Sequence, residues 1–498
     1  MTGGPAKIAA RYIGAMGYGR ALAAIIVLTT FARVIALIFN AYDLGPDETQ
    51  YWFWSLTPDW GYFSKPPLIA WLIGASTALF GDAEWAIRLP APLLHAGSAW
   101  FLYLLGKSLY ADEGGARIGF WGALIYFFSP GVILSSNLIT TDAPLLFFWS
   151  AALLALHKSA RRGGWSLPVI LGLCAGLGFL AKYAMIYFTL GASLAAIVSP
   201  EIRKFCLSLR GASAILVAAA IAAPNLYWNA VHDFSTISHT AANANWGTHL
   251  FNPAALAKFL LDQFGVFGPI AFGAFLAAAF FTIRRRMATA GADLYLLAFA
   301  APPLLLVAVQ AFISRAHANW AAAAYPAASL LVAAFLFRTR RIWLAQASVV
   351  AQAAGAALLA ILLASPSLTA AMGLAGVPKR ISGWEAQGGR IAEVAAAGDY
   401  DAIMADDREI IGALLYYVRP RSIPIIAWNM NIALDNHYEY AIPHDRETHK
   451  HVLLVTTFPN AGYLAHEPAA IAKIGEDAQA TGAAAPRVLH LFDVRFTE

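Results

Sequence analysis

The stretch that decides the fold is Leu44 to Pro67, LGPDETQYWFWSLTPDWGYFSKPP, which follows directly on a long apolar run, Ala21 to Phe39. It sets Asp47, Glu48 and Lys65 among Tyr51, Trp52, Trp54, Trp60 and Tyr62 at the end of a segment long enough to cross a bilayer. Ionisable groups at a membrane boundary are costly unless they are paired or serve a site. The stretch therefore reads as the catalytic loop of a membrane enzyme.

The rest of the chain is consistent with a membrane setting. Of 498 residues 59% are hydrophobic and only 13% charged, too apolar for a soluble globular protein. Net charge is +5, yet the basic residues cluster in short loops between apolar runs, where they act as topology signals and imply no nucleic-acid partner. Cys174 and Cys206 form neither a disulfide framework nor a metal pattern. The run 21–39 lacks a cleavage signature after it and reads as a retained helix.

Apolar stretches near the roughly 20 residues a crossing needs recur at 21–39, 86–105, 117–136, 143–157, 166–181, 183–199, 211–228, 256–282, 293–312, 318–337 and 342–364. They predict about eleven transmembrane helices. The shorter run after Pro66-Pro67 reads as an interfacial or re-entrant helix. One alternating set of loops holds Lys7, Arg11, Arg20, Lys107, Arg117, Lys158, Arg161, Arg162, Arg203, Lys204, Arg210, Arg284, Arg285, Arg286, Arg338, Arg340 and Arg341. The other holds only Lys65, Lys182 and Arg315, a ratio of 17 to 3 that puts the N-terminus in the cytoplasm and Asp47 outside. An odd number of spans leaves the tail outside as well. Residues 1–364 thus form a transmembrane domain with an outer loop at 41–85, and 365–498 a small α/β domain. In that tail 401–404, 423–427, 452–456 and 488–494 read as strands and 409–418 as a helix.

Each polar residue on the outer face has a plain reading beside a functional one. Asp47 and Glu48 project about 100° apart on a helix and are read as a general base or as caps of the helix that follows. Lys65 binds a phosphate or snorkels to headgroups. The loop aromatics form a substrate platform or, the better reading for them alone, an interfacial belt. Asp142 is a site carboxylate or a turn cap. Lys182 with Tyr183, and Arg315 with His317, offer anion contacts, although His317 also fits an ordinary surface group. The loop Trp228 to Asn252, with His232, His239, Asn243 and His249, supplies a substrate rim but no convincing metal-ligand spacing. Taken together, acids and cations gathered on one face describe a carboxylate base beside a phosphate cradle.

Several of these segments carry a resemblance. Asp47-Glu48 with Tyr51-Trp52, Tyr62-Phe63-Ser64-Lys65-Pro66-Pro67, Thr141-Asp142-Ala143-Pro144, Ala181-Lys182-Tyr183, Pro224-Asn225 through Trp228-Asn229, and His317-Ala318-Asn319-Trp320 resemble motifs of the GT-C glycosyltransferases of the protein O-mannosyltransferase superfamily. Within it they are most similar to the bacterial branch of lipid A aminoarabinose transferases. The resemblance spans about residues 10–340 and implies a GT-C fold in the bacterial inner membrane, with site and tail periplasmic. It implies inverting transfer of a sugar from a polyprenyl-phosphate donor to a lipid A, lipopolysaccharide or other envelope acceptor. Asp47 resembles the catalytic acid, Asp142 the second acid near the reaction centre, and Lys65 and Lys182 the donor-phosphate ligands. Tyr62, Tyr183, Arg315 and His317 complete the expected substrate-binding set, and Glu48 the acidic pair. No cofactor is required; a divalent metal near the carboxylates is compatible with the sequence. A protein O-glycosyltransferase, a lipid-linked-sugar flippase and a receptor acting through its tail stand as rivals. Against a transporter, the charges collect at one face instead of at mid-membrane.

Overall fold

The computed structural model describes residues 17–242, 244–246, 250–284, 291–430, 434–464, 468–482 and 485–496. Lys7, Arg11, Asn243, His249, Arg285 and Arg286 lie outside the described residues. The chain divides into two compact units, one made of 1–37, 65–72 and 88–359, the other of 38–64, 73–87 and 360–498. Residues 41–64 and 73–85 of the outer loop therefore share a compact unit with the tail, whereas 65–72 belong to the first unit.

The first unit is helical. Among the described residues six helices are long and apolar enough to cross a membrane: Tyr18–Ile38, Asp142–Arg161, Leu209–Val231, Gly291–Ile313, Ala318–Arg338 and Ile342–Ala364. The stretch expected as a single crossing at 256–282 is instead two helices, Pro253–Phe267 and Pro269–Arg284, bent by 113°. Gly268 at the break has φ +94°, a left-handed conformation that glycine tolerates, and Pro269 starts the second helix with a fixed φ. Counted as one span, the pair brings the number to seven. The expected runs at 86–105 and 117–136 form Pro90–Leu109 and the pair Gly115–Phe127 and Pro130–Ser135. Those at 166–181 and 183–199 form shorter apolar helices, Ser166–Ala181 and Tyr183–Val198, as does the run after Pro67, Leu68–Phe80. The chain is a polytopic, membrane-embedded protein.

The second unit has a five-stranded mixed sheet. Its strands are β1 (Ala402–Ala405), β2 (Ile425–Ala427), β3 (His451–Thr456), β4 (Pro468–Gln479) and β5 (Arg487–Phe496), in the order β2-β1-β3-β5-β4. β1 runs parallel to both β2 and β3, pairing Ile403 with Ile425 and Ala402 with Val452, while β5 is antiparallel to β3 and β4. The parallel centre is buried on both faces, which explains its continuous apolar runs. β4, which the sequence did not predict, is a mostly exposed edge with two register shifts; its charges and glycine blunt the edge and hide the strand.

The loop helix Pro46–Leu56 lies against the tail helix Arg408–Tyr417. Gly412 makes that approach feasible, since a Cβ there would meet Thr49 Oγ1 at 2.5 Å and the Tyr438 hydroxyl at 2.8 Å. Tyr51, Trp52 and Trp54 are buried in this unit, Trp52 edge-on to Tyr416 with ring centroids 4.9 Å apart. They are core residues of the loop-and-tail unit, and the reading of them as an interfacial belt is corrected accordingly. The loop is held further by the Tyr417 hydroxyl, which receives the Leu44 N–H at 2.6 Å and donates to Glu84 Oε1 at 2.5 Å. Asp43 Oδ2 accepts the Trp384 N–H at 2.6 Å, and burial pushes the Asp43 carboxyl above its ordinary value.

Candidate active site

In the membrane unit, three of the polar turns meet. Asp142 is the first residue of helix Asp142–Arg161, whose opening turn Pro144 rigidifies. Its Oδ1 receives the Lys182 ammonium at 2.6 Å and its Oδ2 the Asn319 amide at 2.7 Å. Lys182 stands where helix Ser166–Ala181 stops; an extended residue there turns the chain into the short 3-10 segment Tyr183–Ile186. Asn319 comes from the 3-10 turn Ala318–Ala324. Each partner is supplied by a helix end or a tight turn, so a carboxylate buried to 6% exposure is met by one charge and one dipole. One ammonium hydrogen on Asp142 leaves Lys182 two further donors.

Beside Lys182 in sequence, Tyr183 donates to Asn225 Oδ1 at 2.9 Å and accepts from Asn229 Nδ2 at 3.1 Å. The two asparagines are one turn apart on helix Leu209–Val231 and buried. Arg315 and His317 are exposed, with the His317 ring 5.2 Å from that of Trp320. Lys65 is half-buried at the start of the segment 65–72 of this unit.

In the loop-and-tail unit, Asp47 and Glu48 part ways. The Glu48 carboxylate is buried to 3% exposure and accepts the Gly45 N–H at 2.9 Å, closing the N-terminus of its own helix. Asp47 projects outward, 61% exposed, and pairs with the Arg408 guanidinium. Burial alone would weaken the charge of Arg408, but the field of Asp47 and its hydrogen bond prevail and raise the guanidinium above its ordinary value. Tyr62 is 2% exposed, stacked on Trp54 at 4.7 Å, and its hydroxyl donates to Trp54 O at 3.0 Å. Burial pushes that hydroxyl up to about 12. Among the described residues no three His, Cys, Asp or Glu side chains gather as a metal-binding group.

Sequence reasoning named Asn319 only as part of a motif and missed Arg408 altogether. Nothing local marks Arg408, because the run Asp406-Asp407-Arg408-Glu409 reads as an ordinary helix start, and Asp407 does cap that helix through the Glu409 and Ile410 amides.

Comparison with known proteins settles the family. Residues 64–228 match the family described as dolichyl-phosphate-mannose-protein mannosyltransferase. A lipid A galacturonosyltransferase of Rhizobium johnstonii, RgtD, is 36% identical over 420 residues, which is 84% of this chain and 87% of that protein. The chain belongs to the GT-C glycosyltransferases of the protein O-mannosyltransferase superfamily. This glycosyltransferase is also 32% identical, over 28% of its length and 27% of the other's, to an undecaprenyl phosphate-α-4-amino-4-deoxy-L-arabinose arabinosyl transferase of Pseudomonas fluorescens. Its fold is similar to that of apo ArnT from Cupriavidus metallidurans, with a TM-score of 0.62 at 17% identity over 96% of this chain and 98% of ArnT. The undecaprenyl phosphate-bound form of ArnT gives a TM-score of 0.61 over 94% and 97%.

Proposed function

We propose that this glycosyltransferase moves a sugar from a polyprenyl-phosphate donor to lipid A at the periplasmic face of the bacterial inner membrane. The observation that carries the reading is the Asp142-Lys182-Asn319 cluster, in a chain similar over 84% of its length to a lipid A galacturonosyltransferase. An undecaprenyl-phosphate donor is supported by the relative named for that carrier and by the ArnT structure bound to it. Galacturonic acid is the first sugar to test.

In this reaction the donor phosphate takes the charge of Lys182, with Lys65 and Arg315 as further ligands, while Asp142 and Asn319 hold the Lys182 ammonium in place. Asp47 is the base. As the acceptor hydroxyl attacks the anomeric carbon, the bond from that carbon to the phosphate oxygen breaks, the hydroxyl proton passes to Asp47 and the lipid phosphate departs. Configuration at the anomeric carbon inverts. Tyr183 and His317 are the sugar-side groups of the membrane unit, the expected role of Tyr62 is corrected to a buried support stacked on Trp54, and Glu48 orders the helix that presents Asp47. A lipid phosphate is already a leaving group, so no covalent intermediate is invoked and no cofactor is assigned a step. The eleven crossings read from the apolar runs, with the N-terminus in the cytoplasm and residues 365–498 in the periplasm, are supported by the 17 to 3 distribution of loop lysines and arginines.

The test is reconstitution of the purified chain in liposomes with undecaprenyl-phosphate galacturonic acid and lipid A, with products read by mass spectrometry. The reading predicts lipid A enlarged by one hexuronic acid. Sugar found on a protein acceptor would favour the O-glycosyltransferase rival, and donor crossing the bilayer unchanged would favour the flippase.

A further inference from the structure

Arg408 lies 361 residues after Asp47, on the first turn of the tail helix Arg408–Tyr417, and its guanidinium reaches two side chains of the loop helix at once. One arm pairs with Asp47 Oδ1, and Nε donates to Gln50 Oε1 at 2.6 Å. Gln50 is buried, so the second contact fixes the guanidinium plane independently of Asp47. The stability such an ion pair gives is small, because the two side chains are 37% and 61% exposed and exposed pairs contribute about 0–1 kcal/mol. Its consequence lies in where the Asp47 carboxylate is held and in how readily it takes a proton.

The acids beside this pair are engaged elsewhere. Glu48, the adjacent acid, is tied to the Gly45 amide, and Asp407 is tied to the amides of its own helix. The phenols of Tyr51 and Tyr438 also act on Arg408, and burial pushes the Tyr438 phenol well above its ordinary value. Arg408 is a cation paired directly with Asp47.

We propose that Arg408 is a positioning residue for glycosyl transfer: the C-terminal domain supplies the guanidinium that orients Asp47 and keeps it ionised, which makes the tail part of the catalytic machinery. This rests on the assignment of Asp47 as base. A carboxylate held in this way is a weak base, which suits the reaction, because the acceptor hydroxyl becomes strongly acidic only as its bond to the anomeric carbon forms.

The test uses the full-length enzyme in liposomes with undecaprenyl-phosphate galacturonic acid and lipid A, comparing wild type with Asp47→Asn, Arg408→Lys, Arg408→Gln and Arg408→Ala. Arg408→Gln should lower kcat roughly 10- to 100-fold, the range for groups that orient a reacting one, with the KM for donor little changed. Its acid limb should move to higher pH by up to about 0.7 unit, the shift that about 1 kcal/mol of lost pairing corresponds to, because removing a facing cation favours the protonated carboxyl. Arg408→Lys should retain more activity than Arg408→Gln, and guanidinium added to Arg408→Ala should restore part of the rate. If Asp47→Asn is inactive while Arg408→Gln keeps the wild-type rate and acid limb, the inference is overturned and the base assignment stands. Full activity in Asp47→Asn overturns the base assignment itself. Should Arg408→Gln lose its thermal unfolding transition, Arg408→Lys and the rescue of Arg408→Ala decide: no rescue, with an unmoved limb in Arg408→Lys, overturns the inference.

Discussion

The ammonium of Lys182 lies 2.6 Å from Oδ1 of Asp142, joining two helix ends 40 residues apart in sequence. The second carboxylate oxygen of Asp142 is taken by Asn319, so the acid is satisfied from both sides while the lysine keeps donors in reserve.

Removing one member of this buried pair should cost more than removing both. Lys182→Met leaves Asp142 with the Asn319 amide alone, a loss of about 3 to 5 kcal/mol for a carboxylate stripped of its cation. The double variant Lys182→Met with Asp142→Asn should recover most of that stability in thermal unfolding, yet show no sugar transfer. Recovery of transfer would separate the pair from the donor site.

Asn319→Leu should act more gently. It deletes one hydrogen bond to a charged acceptor, worth about 1.5 to 3 kcal/mol. Unfolding should shift modestly and kcat fall by about tenfold or more, measured by single-turnover transfer.

Gly412→Ala tests the close approach of loop helix and tail helix. A methyl group 2.5 Å from Thr49 Oγ1 must push the helices apart, at about 1–3 kcal/mol. Limited proteolysis should then cut the tail faster than in the wild type, and transfer should fall with it. Gly412→Ala paired with Thr49→Ala should recover part of both.

His437 makes the loop-and-tail unit sensitive to acid. Burial against Trp54 and Tyr62 lowers its pKa from 6.5 to about 4, and its Nδ1 has no hydrogen-bond partner among the described residues. The unfolded chain therefore takes up a proton at higher pH than the folded one. Stability is fully present above about pH 6.5 and is lost as pH falls toward 4, by on the order of 3 kcal/mol at most. The fluorescence-detected unfolding midpoint should drop over that interval in the wild type, and His437→Phe should flatten the dependence.

Much of this was legible in the sequence because a bilayer imposes few choices. Apolar runs marked the membrane unit, and Asp47, Asp142 and Lys182 stood out as ionisable groups at helix ends. The contacts among them were not legible. Nothing local says that Lys182 faces Asp142, or that Arg408 returns over 361 residues to Asp47. The break at Gly268 hid inside an apolar run, since hydropathy is indifferent to chain direction. Helix Trp384–Ala397 was missed because Gly388-Gly389 argues against helix locally, while Gln387 and Ile391 are buried and anchor it through tertiary contacts. Glu48 matched Asp47 in sequence, and only the hydrogen bond to Gly45 separated cap from candidate base.

The central claim is that this glycosyltransferase modifies lipid A through Asp47. The most direct measurement is mass spectrometry of lipid A from cells lacking the gene and complemented with wild type or Asp47→Asn, each confirmed as folded and membrane-inserted. The account predicts a sugar-modified lipid A with the wild type and none with Asp47→Asn. Equal modification by both would contradict it.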